Sequence, residues 1–162
     1  MQLFQRRRWV DPSRLAEGFE SFVDQLAWID AHTDLSMAGW RRTDPEGGPG
    51  AILATTTYAD HGWFLAQVAR LQALDGYAPV NDATAALTVG TDAFERWDAP
   101  GGLDDGWALP DAAFRQVLGS PATAGAHSVW TNAEGAEGLV AWFPDDDGPA
   151  AAGRREAWVR IH

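Results

Sequence analysis

The clearest pattern of hydrophobic positions lies between residues 11 and 32. Apolar side chains recur there at spacings of four, three, four and three residues, which place them on one face of an α-helix. These residues are Leu15, Phe19, Phe22, Leu26 and Ile29. Asp11 is suited to cap the first turn, and Pro12 fits the first helical position. The pattern predicts a long helix from about Asp11 to His32 that buries its apolar stripe.

A second pattern, with a period of two, occupies the segment LFQRRRWV near the start of the chain. Alternate residues of a β-strand face opposite sides. One side would carry Leu3, Gln5, Arg7 and Trp9, and the other Phe4, Arg6, Arg8 and Val10. Since both sides mix apolar and cationic groups, the pattern predicts an edge or partly covered strand.

The middle of the chain predicts two strands, a helix and a further strand. The first two strands are LSMAGWRRT (35–43) and GAILATTTYA (50–59), joined by the turn-forming segment DPEGGP. Asp60 is expected to cap a helix over 61–76, with Phe64, Val68 and Leu71 facing inward and Gly76 ending it. The segment TAALTVGT (84–91) predicts a fourth strand.

The last third of the chain is less regular. Residues 92–106 are expected to be mostly turn, with a short helical turn at DAFERW, and 109–119 (LPDAAFRQVLG) predicts a short helix that ends at Gly119. Three strand-like runs follow, AHSVWT (126–131), GLVAWF (138–143) and EAWVRIH (156–162). The link NAEGAEG suits a hairpin, and PDDDGPAAAGRR suits a longer acidic loop.

These elements predict an α+β fold in a single globular domain over residues 1–162. We expect a mainly antiparallel sheet of about six to seven strands, with two main helices and one short helix on one face. The first six elements follow the β-α-β-β-α-β order of a ferredoxin-like unit. No internal repeat is visible in the sequence.

Charge limits the partners that the chain can bind. The 162 residues carry 12 basic and 23 acidic side chains, a formal net charge of −11. Without Arg6, Arg7 and Arg8, nine basic residues face 23 acids, a balance of −14. A field of that sign disfavours nucleic acid, whose binding requires a basic surface. We therefore expect the three arginines to pair with acids of the same chain; the alternative is a docking strip for an acidic partner.

Several classes of chemistry have no sequence support. The chain has no Cys, no phosphate-binding glycine motif and no H-E-x-x-H zinc motif. Asp145, Asp146 and Asp147 are consecutive, so they lack the alternate spacing of a calcium loop. We expect no metal and no cofactor. Because no apolar run is long enough to span a membrane or serve as a signal core, we expect a cytoplasmic protein without membrane contact.

Two histidines, His61 and His127, and the neighbouring Asp60 are candidates for catalysis. His61 follows Asp60 at a strand-to-helix turn, a place where catalytic residues often lie. His127 begins a predicted strand, with Ser128 on the opposite face. Both positions are also compatible with an ordinary structural role.

Tryptophan is unusually frequent, with nine residues against seven Phe and two Tyr. Trp130 and Trp142 lie on predicted hairpin strands, where aromatic pairs stabilise sheets. Trp97 and Trp107 lie in a predicted turn region beside Asp104 and Asp105. Partly exposed Trp among acids is typical of a recognition surface. The alternative is that these Trp cover loops over the core. The predicted binding residues are therefore Trp97, Asp104, Asp105 and Trp107, together with Asp145, Asp146 and Asp147 of the acidic loop.

Two functions of different class fit these observations. The first is a small acidic protein-binding module, an inhibitor or immunity-type protein that occupies a basic partner, because acidic complementarity speeds such encounters. The alternative is a small enzyme or ligand-binding α+β domain with a Trp-lined pocket that uses His61 or His127 and a carboxylate. A small-molecule ligand is compatible with both.

Overall fold

The computed structural model of the protein describes residues 1–44, 46, 48–99, 111–119, 128–132, 139–143 and 154–162. Within these residues the chain forms eight strands and three α-helices. The strands are β1 (Gln2–Val10), β2 (Ala38–Arg42), β3 (Ala51–Tyr58), β4 (Thr88–Asp98), β5 (Ala113–Leu118), β6 (Ser128–Asn132), β7 (Leu139–Phe143) and β8 (Arg154–Arg160). The helices are α1 (Leu15–His32), α2 (His61–Gln72) and α3 (Tyr77–Ala85), with a 3₁₀ turn (Pro12–Arg14) before α1. The predicted α+β class is confirmed.

The strands close into an antiparallel barrel in the order β1-β3-β2-β8-β5-β7-β6-β4. Closure leaves no free sheet edge among these strands. Strand β1, predicted at an edge or partly covered, lies inside the sheet and pairs with β3 on one side and β4 on the other. The prediction of an edge strand is therefore wrong.

The barrel consists of two halves with the same strand order. They form an internal structural repeat that was not visible in the sequence. The first half has the order β4-β1-β3-β2, and the second half has the equivalent order β8-β5-β7-β6. The halves join through the strand pairs β2–β8 and β4–β6. These two junctions have the same pairing register, because Arg42 lies opposite Trp158 in one and Asn132 lies opposite Trp97 in the other. The first half follows the predicted ferredoxin-like order.

This repeat explains four of the nine tryptophans. Trp40 and Trp130 occupy equivalent positions on β2 and β6, and Trp97 and Trp158 occupy equivalent positions on β4 and β8. All four lie in the interior of the barrel, where each is 4% exposed or less. These four Trp are the largest members of the buried apolar cluster inside the barrel, which also contains Leu3, Leu53 and Phe114.

Helix α1 covers the outer face of the first half. It buries Phe22, Leu26 and Ile29 against Ile52 and Ala54 of β3. The predicted stripe is therefore the buried face of the helix. Leu15 and Phe19 lie at the margin of the same cluster, partly buried.

Two predicted elements are wrong. The segment 109–119, predicted as a short helix, contains strand β5, and residues 92–98, predicted as turn, continue strand β4. The third helix is α3 (Tyr77–Ala85), which includes the first two residues of the strand predicted over 84–91, and β4 begins only at Thr88. In both segments, pairing with neighbouring strands of the barrel outweighs the weak preference of the local sequence for helix or turn.

Candidate functional site

A cavity of about 410 Å³ lies between the helices and the outer face of the sheet. Its walls are mainly apolar: Phe22, Leu26 and Ile29 of α1, Phe64, Val68 and Leu71 of α2, and Phe4 and Ala54 of the sheet. Volume and lining are those of a pocket for a small organic molecule.

The mouth of this cavity exposes apolar side chains. Leu65 on α2 is 53% exposed and Phe94 on β4 is 62% exposed, and both line the opening. Phe94 also packs over the guanidinium group of Arg6, whose Cζ lies 5.3 Å from the ring centroid. An apolar ligand would therefore meet an apolar entrance.

One end of the cavity is polar, and two arginines of β1 form it. Arg8 donates through Nε to Asp92 at 3.0 and 3.1 Å, through Nη1 to Gln25 Oε1 at 3.2 Å and through Nη2 to Asn81 Oδ1 at 3.1 Å. Arg6 donates to the same carboxylate, through Nε at 2.9 Å and Nη2 at 2.5 Å. The expectation that these arginines pair with acids of the same chain is confirmed.

Burial determines the electrostatics of this polar end. The Arg8 side chain is 3% exposed, and that of Asp92 is 24% exposed. Desolvation and the neighbouring charge of Arg6 lower the pKa of Arg8. Desolvation would raise the pKa of Asp92, but hydrogen bonds and charge from Arg6 and Arg8 outweigh it and lower that pKa. Asp92 is thus held ionised between two guanidinium groups.

The position of these two arginines could be predicted from the sequence, because the alternation of β1 places Arg6 and Arg8 on one face with Phe4 and Val10. That face is the one covered by the helices. Gln25, Asn81 and Asp92 had no comparable signal, because their approach to β1 depends on how α1, α3 and β4 pack.

His61 lies in a neighbouring cleft of about 170 Å³ and does not line the large cavity. Arg96 Nη1 is 2.8 Å from His61 Nε2, and Tyr58 Oη is 3.3 Å from Nδ1. Since arginine can only donate, Nε2 must accept and Nδ1 carries the proton that faces Tyr58. Burial raises the pKa of the Tyr58 hydroxyl. Phe4, Phe64 and Phe94 line both the cleft and the cavity.

The remaining predicted site residues separate into three groups. Asp60 caps α2 by accepting from Trp63 N at 2.6 Å. Trp97 is buried in the barrel, 4% exposed, and gives no contact area to a surface. His127, Asp104, Asp105, Trp107, Asp145, Asp146 and Asp147 lie outside the described residues.

The barrel interior carries a second buried ionic group. Glu156, whose side chain is fully buried, accepts from Arg7 Nη2 at 2.8 Å and from Gln116 Nε2 at 2.5 Å. Arg42 Nη1 lies 3.5 Å from the same carboxylate and binds Asp44 at 2.7 and 2.8 Å. Arg7 and Glu156 therefore lie on the opposite side of β1 from the cavity.

Over the part of the chain that the structure describes, no three His, Asp or Glu side chains come close enough to hold a metal ion. In the same residues, no helix is both long enough and apolar enough to cross a membrane.

Solved structures share this fold at low sequence identity. A Fusobacterium nucleatum protein named "Putative monooxygenase" has 12% identity and a TM-score of 0.64, and the match covers 99% of this chain and 92% of that one. A NIPSNAP domain protein from Burkholderia xenovorans has 16% identity and a TM-score of 0.52 over 65% of this chain and 100% of that one. No family model matches the sequence. A search of curated proteins found no significant match.

The prediction of an inhibitor or immunity-type protein that occupies a basic partner is wrong. The neighbours in fold are a NIPSNAP domain protein and a protein named as a monooxygenase. The described residues form an apolar cavity beneath the helices, and Trp97, the described Trp of the predicted recognition surface, lies in the core. A basic protein partner has no support. The alternative, a ligand-binding α+β domain, fits better, although none of the nine tryptophans is among the cavity residues described here.

Proposed function

We propose that this protein binds a small, mainly apolar organic molecule in the cavity between its helices and sheet. The observation that carries the proposal is the cavity of about 410 Å³ with apolar walls, a polar end and an exposed apolar mouth. Close packing normally leaves few voids larger than a water molecule in a domain interior. A void of this size between α1, α2 and the sheet is therefore better explained by a ligand than by structure alone.

Binding of N-phenyl-1-naphthylamine, a neutral aromatic probe that fluoresces in apolar surroundings, tests the proposal. Excitation of the probe at wavelengths longer than the tryptophan absorption band avoids energy transfer from the nine Trp. We expect saturable binding to one site and a rise in melting temperature, since a ligand that binds only the folded state stabilises it.

A matched pair of variants locates the site. Val68→Trp places a large side chain in the cavity, whereas Ala66→Trp adds the same group at an exposed position of the same helix. Probe binding should be lost in the first variant and kept in the second. Absence of saturable binding, or equal binding by the two variants, would overturn the proposal.

Oxygenation of the bound molecule is a second candidate function. It is favoured by the structural neighbour whose match covers 99% of this chain, because that protein is named as a monooxygenase. Oxygen uptake with 1-naphthol, an electron-rich aromatic probe, tests it. Uptake that depends on the protein and falls in Val68→Trp would support oxygenation. Absence of uptake by protein that binds the neutral probe would favour binding without oxygenation.

A further inference from the structure

We infer that the ligand of this cavity carries one anionic group and that Arg8, with Arg6, receives it. The inference rests on the proposed function and names the chemical class of the ligand. It is carried by two features of the polar end, an excess of positive charge and a shortage of hydrogen-bond acceptors.

The charge excess follows from the groups that meet there. Arg6 and Arg8 are the charged residues among those described as lining the cavity, and both bind the single carboxylate of Asp92. Two guanidinium groups and one carboxylate leave one positive charge. The side chain of Arg8 is 3% exposed and that of Arg6 is 18% exposed, so water compensates this charge only in part. A buried charge without a counterion is costly, and an anion in the cavity would remove that cost.

The shortage of acceptors is an independent observation. Asn81 Oδ1 is approached by Arg8 Nη2 at 3.1 Å, by Gln25 Nε2 at 3.1 Å and by both Nη atoms of Arg6 at 3.4 Å. An amide oxygen has two lone pairs, so it cannot satisfy four donors well. A guanidinium has five N–H groups, and the described partners of Arg8 use three of them. Two N–H groups of Arg8 remain for a ligand.

The rest of the cavity selects the remainder of the ligand. The other lining residues are mostly apolar; Thr56, Gln72 and Tyr77 are neutral polar side chains, and none of them offers an opposite charge to a second charged group. The ligand class is therefore an apolar, ring-sized molecule with one carboxylate, enolate or similar anionic group at one end. Charge-assisted hydrogen bonds from a guanidinium to such a group are the strong kind, especially where water is excluded.

A matched pair of probes tests this inference. N-phenyl-1-naphthylamine and 1-anilinonaphthalene-8-sulfonate share one aromatic skeleton, and only the second carries an anionic group. We expect the wild-type protein to bind the anionic probe at least about tenfold more tightly than the neutral one, the ratio expected of a charge-assisted bond.

Two variants should shift the affinity for the anion in opposite directions. Arg8→Met removes a cation and should weaken binding of the anionic probe about tenfold or more, whereas Asp92→Asn removes the competing carboxylate and should tighten it about threefold to tenfold. Arg14→Met, in an exposed ion pair with Glu17, is the control for a lost arginine and should change neither affinity. The readout is the ratio of the affinities for the anionic and the neutral probe, which should fall in Arg8→Met, rise in Asp92→Asn and stay within about twofold of wild type in Arg14→Met. If Arg8→Met does not fold, Asp92→Asn still decides the question.

The outcomes separate this inference from the function on which it rests. Saturable binding of the neutral probe, with no preference for the anion and no response to Asp92→Asn, would overturn the anionic class and leave the binding function intact. If neither probe binds, the proposed function fails and the inference fails with it.

Discussion

The side chains of Gln5 and Gln116, 111 residues apart, meet inside the barrel, where Gln5 Nε2 donates to Gln116 Oε1 over 3.1 Å. They occupy equivalent positions on β1 and β5, the corresponding strands of the two halves. Each lies opposite a glutamate on its neighbouring strand, Glu95 beside Gln5 and Glu156 beside Gln116. The hydrogen bond thus joins the two halves across their approximate two-fold relationship.

Glu156→Gln should be strongly destabilising. The substitution keeps the size of the side chain but leaves Arg7 and Arg42 beside a neutral amide in the barrel interior. Breaking a buried ion pair on one side typically costs about 3–5 kcal/mol. Chemical denaturation measures the change, and Glu17→Gln, in an exposed ion pair, should have a far smaller effect. Equal effects of the two variants would show that the buried network adds no stability.

Phe22→Ala should lower the free energy of unfolding by about 3–5 kcal/mol, the usual loss for a buried Phe. Phe22 is 2% exposed and packs in the cluster between α1 and the sheet. Denaturant titration tests the loss. The exposed Ala27 on the same helix provides the control, because Ala27→Ser removes no packed group. A loss below about 1 kcal/mol for Phe22→Ala would mean that this face of α1 contributes little to the core.

Stability should fall on acidification partly through Asp44. Desolvation would raise the pKa of Asp44, but hydrogen bonds from Arg42 and from the backbone N–H of Ala157 outweigh it and lower that pKa below 3.8. A depressed carboxyl pKa contributes stability that is present above the unfolded value and is lost as pH falls through the folded value. The stability difference between wild type and Asp44→Asn should therefore be largest above about pH 5 and shrink towards about pH 2.

Thermal unfolding of the two proteins across this pH range measures the effect. Asp24→Asn, an exposed change on α1, is the matched control. A difference between wild type and Asp44→Asn that stayed constant between about pH 5 and pH 2 would contradict the assignment.

His61→Ala should leave binding of the neutral naphthylamine probe within about twofold of wild type, equivalent to less than about 0.5 kcal/mol. His61 lies in the neighbouring cleft with Tyr58 and Arg96 and does not line the cavity. Val68→Trp, which fills the cavity, is the positive control for lost binding. If His61→Ala abolished binding while the protein remained folded, the ligand would extend into the cleft, and His61 would become a candidate for direct contact.

The sequence by itself determined the elements that carry a strong local period. The structure contains both the apolar stripe of α1, with Phe22 and Leu26, and the alternation of β1. A regular spacing of apolar residues is enough to indicate which face of a helix or strand is buried. The α+β class and the pairing of the three arginines with acids followed from the same patterns and from the charge balance.

Only the tertiary structure decided which residues meet. The internal repeat is not visible in the sequence although some equivalent positions, such as Trp40 and Trp130, share a residue type. Antiparallel pairing fixes backbone positions and not residue types, so Arg42 and Asn132 also occupy equivalent positions. The sequence of β5 predicts a helix, whereas in the structure the segment pairs with β7 and β8 as a strand. The cavity likewise depends on packing: Gln25, Asn81 and Asp92 come from three different elements and reach Arg8 only once α1, α3 and β4 surround β1.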